Sequence, residues 1–186
     1  MITPDTLARI AAVLDKTGIP YMLSGSFASA YYGAPRSTKD IDIVIEASVH
    51  QLRTFAQSLP SDEYYVDLNA GLEAQKHQSM FNVIDLSTGW KIDLIIKKSR
   101  PFSQEEFQRR QAITVEGLLL FVATAEDVIV AKLEWSQLSQ SRRQIEDVAG
   151  ILRIRGESLD HVYLEKWIRE LGLENEWASA RKAAGI

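Results

Sequence analysis

The sequence predicts an α/β (α+β) fold in which a mixed β-sheet is flanked by helices and followed by a helical C-terminal part. Helix-like and strand-like periodicities alternate along the first half of the chain. Two apolar runs, over residues 81–86 and 90–96, are separated by Ser87-Thr88-Gly89, which predicts a hairpin. We therefore divide the chain into a core over residues 1–124 and a helical C-terminal region over residues 125–186 that packs on the core.

The N-terminal half is predicted from local start and stop signals. Thr3-Pro4 combines a capping hydroxyl with proline at the first helical position, and Gly18 and Pro20 end that helix. The further elements expected before the hairpin are a buried strand over 21–24, a turn at 25–26, a small-residue helix over 27–32, a strand over 40–45, a helix over 50–59 and a strand over 64–66.

The C-terminal half begins with one strand stretch over residues 113–122. Ala125-Glu126-Asp127 then opens a helix with acidic residues in its first turn, where the helix dipole favours them. The apolar run Leu118–Val122 is interpreted as core, with an oligomer interface as the alternative. Three tryptophans on helical stretches are interpreted as core or interface anchors: Trp135, Trp167 and Trp177.

Composition narrows the function classes. The net charge of −4 argues against a general nucleic-acid binder, because such binding depends on neutralising phosphates with lysine and arginine. The chain has no cysteine, so it has neither disulfides nor thiolate metal sites. No window is long and apolar enough to cross a bilayer, so we expect no membrane contact and a cytoplasmic location. The three histidines are scattered, which leaves carboxylates as the candidate metal ligands.

Two acids on one strand form the clearest candidate site. The alternation in Asp40-Ile41-Asp42-Ile43 places Asp40 and Asp42 on one face. Two such carboxylates repel unless a cation joins them, and their hard oxygen ligands suit Mg²⁺ or Mn²⁺. The alternative is a chance pair of acids on an exposed strand face.

Two further segments extend this candidate site. Ser24-Gly25-Ser26 lies between a strand and a helix, where free backbone N–H groups favour an anion such as phosphate; the alternative is that Gly25 makes the turn and Ser26 caps the helix. Asp93 lies inside an apolar strand, where a charge is costly unless it faces a site or a partner. For Asp93 the alternative is a partnered surface acid.

Taken together, these segments resemble a known arrangement. Leu23-Ser24-Gly25-Ser26 followed by Asp40-Ile41-Asp42 resembles the hG[GS] and [DE]h[DE] motifs of the polymerase-beta-type nucleotidyltransferase superfamily, and Asp93 resembles its third acid. The segment from Ala125 through Lys132, followed by Arg142-Arg143 and Asp147, is similar to the C-terminal motif of the abortive-infection (AbiEii-like) toxin branch and its uncharacterised relatives. The resemblance extends from about Tyr21 to Leu152.

The resemblance implies a nucleotidyltransferase fold and a metal-dependent transfer of a nucleoside monophosphate from a nucleoside triphosphate to an acceptor hydroxyl. It assigns Asp40, Asp42 and Asp93 to Mg²⁺ or Mn²⁺, with Asp93 also helping to take the acceptor's proton. The resemblance also implies that Gly25 and Ser26 cradle the triphosphate and that Arg36 contacts a phosphate. It implies roles for Lys132 and Asp147 as well. Lys132 would add positive charge near the phosphates and Asp147 would orient Lys132 or the base.

The alternatives for these last two residues are a lysine lying along its helix and a surface acid paired with Arg143. The chain also lacks the arginine-rich helix of the minimal antitoxin nucleotidyltransferases, which favours the toxin-like branch.

Three functions stay open. The first is an active enzyme whose acceptor is tRNA, a protein or a small molecule. The second is a regulatory, nucleotide-binding module with the same fold, such as one half of a toxin–antitoxin pair with a cognate partner protein. The third is a modifier of small molecules like the aminoglycoside nucleotidyltransferases.

Overall fold

The computed structural model describes residues 5–33 and 40–186. In chain order, the helices and strands of these residues are α1 (Asp5–Lys16), β1 (Tyr21–Leu23), α2 (Gly25–Tyr32), β2 (Asp40–Ile45), α3 (Val49–Ser58), β3 (Tyr64–Val66), α4 (Leu68–His77), β4 (Met80–Asp85), β5 (Lys91–Ile96), α5 (Pro101–Arg109), β6 (Gln111–Val115), β7 (Leu118–Val122), α6 (Ala125–Ser139), α7 (Arg142–Arg155), a 3₁₀ turn (Gly156–Ser158), α8 (His161–Glu170) and α9 (Glu174–Ala184). The helix start predicted at Thr3-Pro4 lies outside the described residues.

The strands form one mixed sheet with the order β3-β4-β5-β2-β1-β7-β6. The β2–β5 and β1–β7 pairs are parallel, whereas the other neighbouring pairs are antiparallel. Together with the surrounding helices, this sheet confirms the predicted α/β (α+β) fold class. The hairpin between β4 and β5 is also confirmed, and Gly89 at its turn has a φ of +70°, a conformation that suits glycine.

One compact unit contains the whole sheet together with α1, α3, α4 and α5, over described residues 5–24 and 40–122. Strand β2 shows why the sheet has two unlike faces. Ile41, Ile43 and Ile45 are fully buried on one face, while Asp40 and Asp42 point to the other, as the alternation predicts. The apolar face of β2 thus anchors the strand in the core and fixes the direction of its acids.

A second compact unit is helical and consists of α2 and α6 to α9, over described residues 25–33 and 123–186. Its core is formed by apolar side chains from several helices, among them Ile129, Leu133, Val148, Ile151 and Leu164. The predicted helical C-terminal part is confirmed. The functional division at residues 124 and 125 stays a prediction, because compactness alone does not define a functional domain.

Several elements differ from those expected from the sequence. The stretch 113–122 forms two antiparallel strands rather than one, because Glu116 and Gly117 both take positive φ angles and reverse the chain. Gly25 and Ser26 are the first residues of α2 rather than a turn before it. Two helices, α4 and α5, have no counterpart in the prediction.

Among the described residues, no helix has both the length and the apolar character needed to span a bilayer.

Candidate functional site

Two neighbouring parallel strands bring the three candidate acids onto one face of the sheet. In the β2–β5 register, Asp42 lies opposite Asp93 and Asp40 lies opposite Lys91. Register partners on paired strands project to the same face, so the face of Asp40 and Asp42 is also that of Lys91 and Asp93. The predicted same-face placement of Asp40 and Asp42 is therefore extended to Asp93. We call Asp40, Asp42, Lys91 and Asp93 the carboxylate face.

Exposure differs along the carboxylate face. The side chain of Asp40 is 54% exposed, whereas that of Asp93 is only 8% exposed. Asp42 is half-buried between these extremes. The face therefore runs from solvent at the start of β2 to a nearly buried carboxylate on β5, which is where an unpaired charge would be most costly.

Asp93 is held through both of its oxygens. Asn82, its register partner on β4, donates a hydrogen bond from Nδ2 to Oδ1 of Asp93. Lys91 donates from Nζ to Oδ2 of Asp93 at 2.9 Å, and the same Nζ lies 3.6 Å from Oδ1 of Asp40. The hydrogen bond to Asp93, followed by the charges of Asp93 and Asp40, raises the pKa of Lys91 above its usual value. Asp93 is thus a partnered acid, but a buried one rather than the surface acid of the alternative interpretation.

The chemistry of this face fits a divalent metal ion. Carboxylate oxygens are the ligands that Mg²⁺ and Mn²⁺ prefer, and the side-chain amide of Asn82 lies beside them. Within residues 5–33 and 40–186, no three acids or histidines already converge in the manner of a formed metal site. A cation is nevertheless present between two of the carboxylates, namely the ammonium of Lys91. Its position shows that the face attracts positive charge.

The strand-to-helix segment begins with a backbone link. Ser24 donates its backbone N–H to the carbonyl of Asp42 at 3.0 Å, which ties the end of β1 to β2. Gly25 opens α2 with a φ of +54°, a left-handed conformation that is strained for residues with a side chain. Ser26 is buried in the first turn of this helix. The first turn of any α-helix presents backbone N–H groups that have no acceptor within the helix, and these favour an anion.

Lys132 and Asp147 form a buried ion pair in the helical unit. Lys132 Nζ lies 2.7 Å from Oδ2 of Asp147 and 3.0 Å from Oε1 of Gln144. The side chains of the pair are only 4% and 9% exposed. Lys132 therefore does not lie along the helix surface, and Asp147 pairs with Lys132, whereas Arg143, its partner in the alternative interpretation, is exposed.

The remaining predicted residue, Arg36, lies outside the described residues. Sequence reasoning missed two side chains of the site, Lys91 and Asn82. Lys91 could have been found, because it precedes Asp93 by two residues on a strand and must share its face. Asn82 could not be found without the register of the β4–β5 hairpin.

Comparison with known proteins supports the fold. No family model and no curated protein matches the sequence. Among solved structures, the chain is similar to an antigenic nucleotidyltransferase-like protein from Paracoccidioides brasiliensis, with 18% identity, a TM-score of 0.56, and coverage of 96% of this chain and 91% of that chain.

Two proteins whose names refer to antibiotics are similar as well. The lincosamide antibiotic adenylyltransferase LnuA, solved with lincomycin bound, shows 12% identity and a TM-score of 0.57 over 82% of this chain and 98% of that chain. The antibiotic-resistance factor ANT(2″)-Ia shows 12% identity and a TM-score of 0.54 over 97% of each chain. The protein therefore has a nucleotidyltransferase fold, as the resemblance of its sequence motifs implies.

Proposed function

We propose that the protein is a metal-dependent nucleotidyltransferase that moves a nucleoside monophosphate from a nucleoside triphosphate to an acceptor hydroxyl. The observation that carries this proposal is the carboxylate face, on which Asp40, Asp42 and Asp93 project from adjacent parallel strands. The similar fold of LnuA, which is named a lincosamide antibiotic adenylyltransferase, supports this reaction class.

Each acid has a distinct proposed role. Asp40, Asp42 and Asp93 would hold Mg²⁺ or Mn²⁺, which supplies Lewis-acid neutralisation of phosphate charge when bound. Asp93 would also accept the proton of the acceptor hydroxyl. The hydrogen bond from Asn82 to Oδ1 of Asp93 restricts rotation of this carboxylate and so keeps it oriented for that role.

The reaction is a substitution at the α-phosphorus. The acceptor oxygen forms a bond to that phosphorus, the bond from it to the oxygen bridging to the β-phosphate breaks, and pyrophosphate leaves with that electron pair. The backbone N–H groups of Gly25 and Ser26 are proposed to bind the triphosphate, and Arg36 to contact a phosphate. Lys132 is proposed to supply positive charge to the phosphates, held in orientation by Asp147.

The proposal extends to the kind of molecule that accepts the nucleoside monophosphate. The likeness to LnuA, which was solved with lincomycin bound, favours a small hydroxyl-bearing molecule as one acceptor class. The resemblance of the Lys132 and Asp147 segment to abortive-infection toxins favours tRNA or a protein, and a role as one component of a toxin–antitoxin pair with a cognate partner protein. A regulatory module that binds nucleotide without turnover is the alternative to both.

One assay separates these possibilities. Each of the four α-labelled nucleoside triphosphates is incubated with Mg²⁺ and with total tRNA, cell-extract protein, or a panel of lincosamides and aminoglycosides. We expect the wild type to label one acceptor class and the double variant Asp40→Asn/Asp42→Asn to label none. The matched control is Asp62→Asn, which removes an exposed acid of the same unit and should retain full transfer.

Transfer by the double variant would refute the assigned site. Binding of a triphosphate in calorimetry without labelling of any acceptor would favour the regulatory module, and absence of both binding and labelling would overturn the proposed function.

A further inference from the structure

The ammonium of Lys91 occupies a position that a metal ion would compete for. It lies 2.9 Å from Oδ2 of Asp93 and 3.6 Å from Oδ1 of Asp40, so one cation bridges two of the three acids. Lys91 is brought there by register, because it is the cross-strand partner of Asp40 and precedes Asp93 by two residues on the same strand. The side chain of Lys91 is 44% exposed, so it borders the solvent into which it would move on displacement.

The two oxygens of Asp93 are unequal in this arrangement. Oδ1 accepts from the amide of Asn82, a neutral donor on the neighbouring strand β4. Oδ2 accepts from the ammonium of Lys91. An arriving divalent cation can share Asp93 with a neutral amide, but it repels a second positive charge about 4 Å away. Oδ2 is therefore the oxygen that changes partner, while Asn82 keeps the carboxylate in place.

We propose that Lys91 is a built-in counter-cation of the carboxylate face, which neutralises Asp40 and Asp93 in the metal-free protein and must be displaced when a divalent cation binds. This inference rests on the proposed function. It makes Lys91 a positioning residue that sets metal affinity: the lysine holds the acids together without metal and lowers the affinity for metal by competition. Because the metal ion and Lys91 compete for the same carboxylates, metal binding frees the ammonium of Lys91 to move at the exposed end of the carboxylate face.

Calorimetric titration with Mn²⁺ alone tests the competition directly. We expect Lys91→Met, which keeps an unbranched stem but removes the charge, to bind Mn²⁺ about tenfold more tightly than the wild type. Lys91→Arg keeps the charge and should bind like the wild type. The control for the loss of one lysine is Lys98→Met, because this exposed lysine lies about 20 Å away past the other end of β5, well beyond the screening length of the buffer.

Thermal unfolding provides a second readout that does not depend on activity. In EDTA, Lys91→Met should unfold about 2–4 °C below the wild type, because the repulsion between Asp40 and Asp93 is then no longer offset by the ammonium that lies between them. At saturating Mn²⁺ this deficit should disappear. Equal unfolding temperatures in EDTA together with equal Mn²⁺ affinity would overturn the inference.

The outcomes distinguish this inference from the proposed function. If the wild type binds Mn²⁺ and Lys91→Met binds it equally, the role of Lys91 is refuted while the metal site stands. If only Lys91→Met binds, the competition is supported. If neither binds, the metal site and the role of Lys91 both fail.

A measurement on the wild type covers the case in which the variant does not fold. Acylation of lysine amines, quantified by mass spectrometry, should modify Lys91 several-fold faster with Mn²⁺ than in EDTA, with Lys98 as the internal reference. An unchanged rate at Lys91 under saturating Mn²⁺ would refute displacement.

Discussion

Asp42 of β2 and Asp93 of β5 are register partners on adjacent parallel strands, so two carboxylates lie side by side on one sheet face. Like charges at such positions destabilise a sheet by about 0.5 kcal/mol. We therefore expect Asp42→Asn to raise the unfolding temperature in EDTA by about one to two degrees, the amount that this energy implies. If the proposed metal site is right, Mg²⁺ should stabilise the wild type against unfolding, and the same variant should lose most of that stabilisation. Differential scanning fluorimetry in EDTA and in Mg²⁺ measures both effects, and a variant that is destabilised in EDTA would contradict the like-charge interpretation.

The buried pair of Lys132 and Asp147 predicts a strongly asymmetric response to mutation. Asp147→Ala removes the carboxylate partner of a buried ammonium and leaves the neutral Gln144 beside it, which should lower the free energy of unfolding by about 3 kcal/mol. The double variant Lys132→Met/Asp147→Leu removes both charges and should recover most of that loss. Urea unfolding followed by circular dichroism provides the values.

Glu146→Ala is the matched control for the loss of Asp147. Glu146 is the preceding residue on α7 and its ion pair with Arg153 is long, at 3.9 Å, and solvent-exposed, so we expect a change below about 0.5 kcal/mol. If the double variant regains stability but not nucleotide transfer, the pair has a functional role beyond holding α6 to α7. Recovery of both would restrict it to a structural role.

Asp85 predicts a loss of stability in acid. This carboxylate is fully buried, and although burial raises its pKa, hydrogen bonds from Ser87, Thr6 and Thr88 more than offset that effect and hold the pKa well below its ordinary value. Arg9 also donates to Oδ2 of Asp85. Because the pKa of Asp85 is lower in the folded protein than in the unfolded chain, its contribution to stability is complete above the unfolded pKa of 3.8. That contribution is lost as pH falls below this value.

We expect Asp85→Asn to cost about 2 kcal/mol at pH 7 and to show a shallower decline in stability between about pH 4 and pH 2 than the wild type. Urea midpoints measured across that interval test the slope. Asp62→Asn serves as the control, since it changes an exposed acid of the same unit. If the urea midpoints of Asp85→Asn and the wild type fell in parallel as pH decreased, Asp85 would not be the cause of the loss of stability in acid.

Tyr21 predicts a loss of stability in alkali. Burial, with a smaller contribution from the charge of Asp15, raises the pKa of Tyr21 from 10.0 to about 12. Because the pKa of Tyr21 is higher in the folded protein than in the unfolded chain, the tyrosine ionises first in the unfolded chain. Its contribution to the free energy of unfolding is therefore complete below about pH 10 and is lost as pH rises from 10 to 12. Tyr21→Phe keeps the edge-on contact with Phe121 at 5.7 Å, so it should be less sensitive to pH in this interval. Urea midpoints from about pH 9 to 12 test the difference, and equal slopes would contradict it.

The sheet was predictable where side-chain alternation is strong. Strand β2 has the predicted bounds because isoleucines alternate with aspartates, and the hairpin follows from Gly89 between two apolar runs. Helix α4 was missed because its buried face consists of Gly71 and Ala74, whose small side chains produce no apolar stripe. Instead, α4 packs closely at Gly71, where an added Cβ atom would lie 3.3 Å from the ring of Phe81.

The candidate site was predictable where its residues share one strand but not where they meet across two elements. Asp40 and Asp42 share a strand, so their common face follows from local periodicity alone. The proximity of Asp93 depends on which strand lies beside β2, and no local pattern specifies that neighbour. The pairing of Lys132 with Asp147 depends in the same way on how α6 contacts α7. Local periodicity therefore could not predict these two non-local pairings, which only the resemblance to the nucleotidyltransferase motifs implied.

The parallel pairing of β2 with β5 also bears on how the chain folds. Asp42 and Asp93 are roughly fifty residues apart in sequence, so loop-closure entropy opposes their meeting until the intervening segment is ordered. The local β4–β5 hairpin can form early and present Asp93 as part of a ready strand. During synthesis on the ribosome, the carboxylate face would then arise in one late docking event after β5 has emerged, so truncated chains that end before it would carry no competent site.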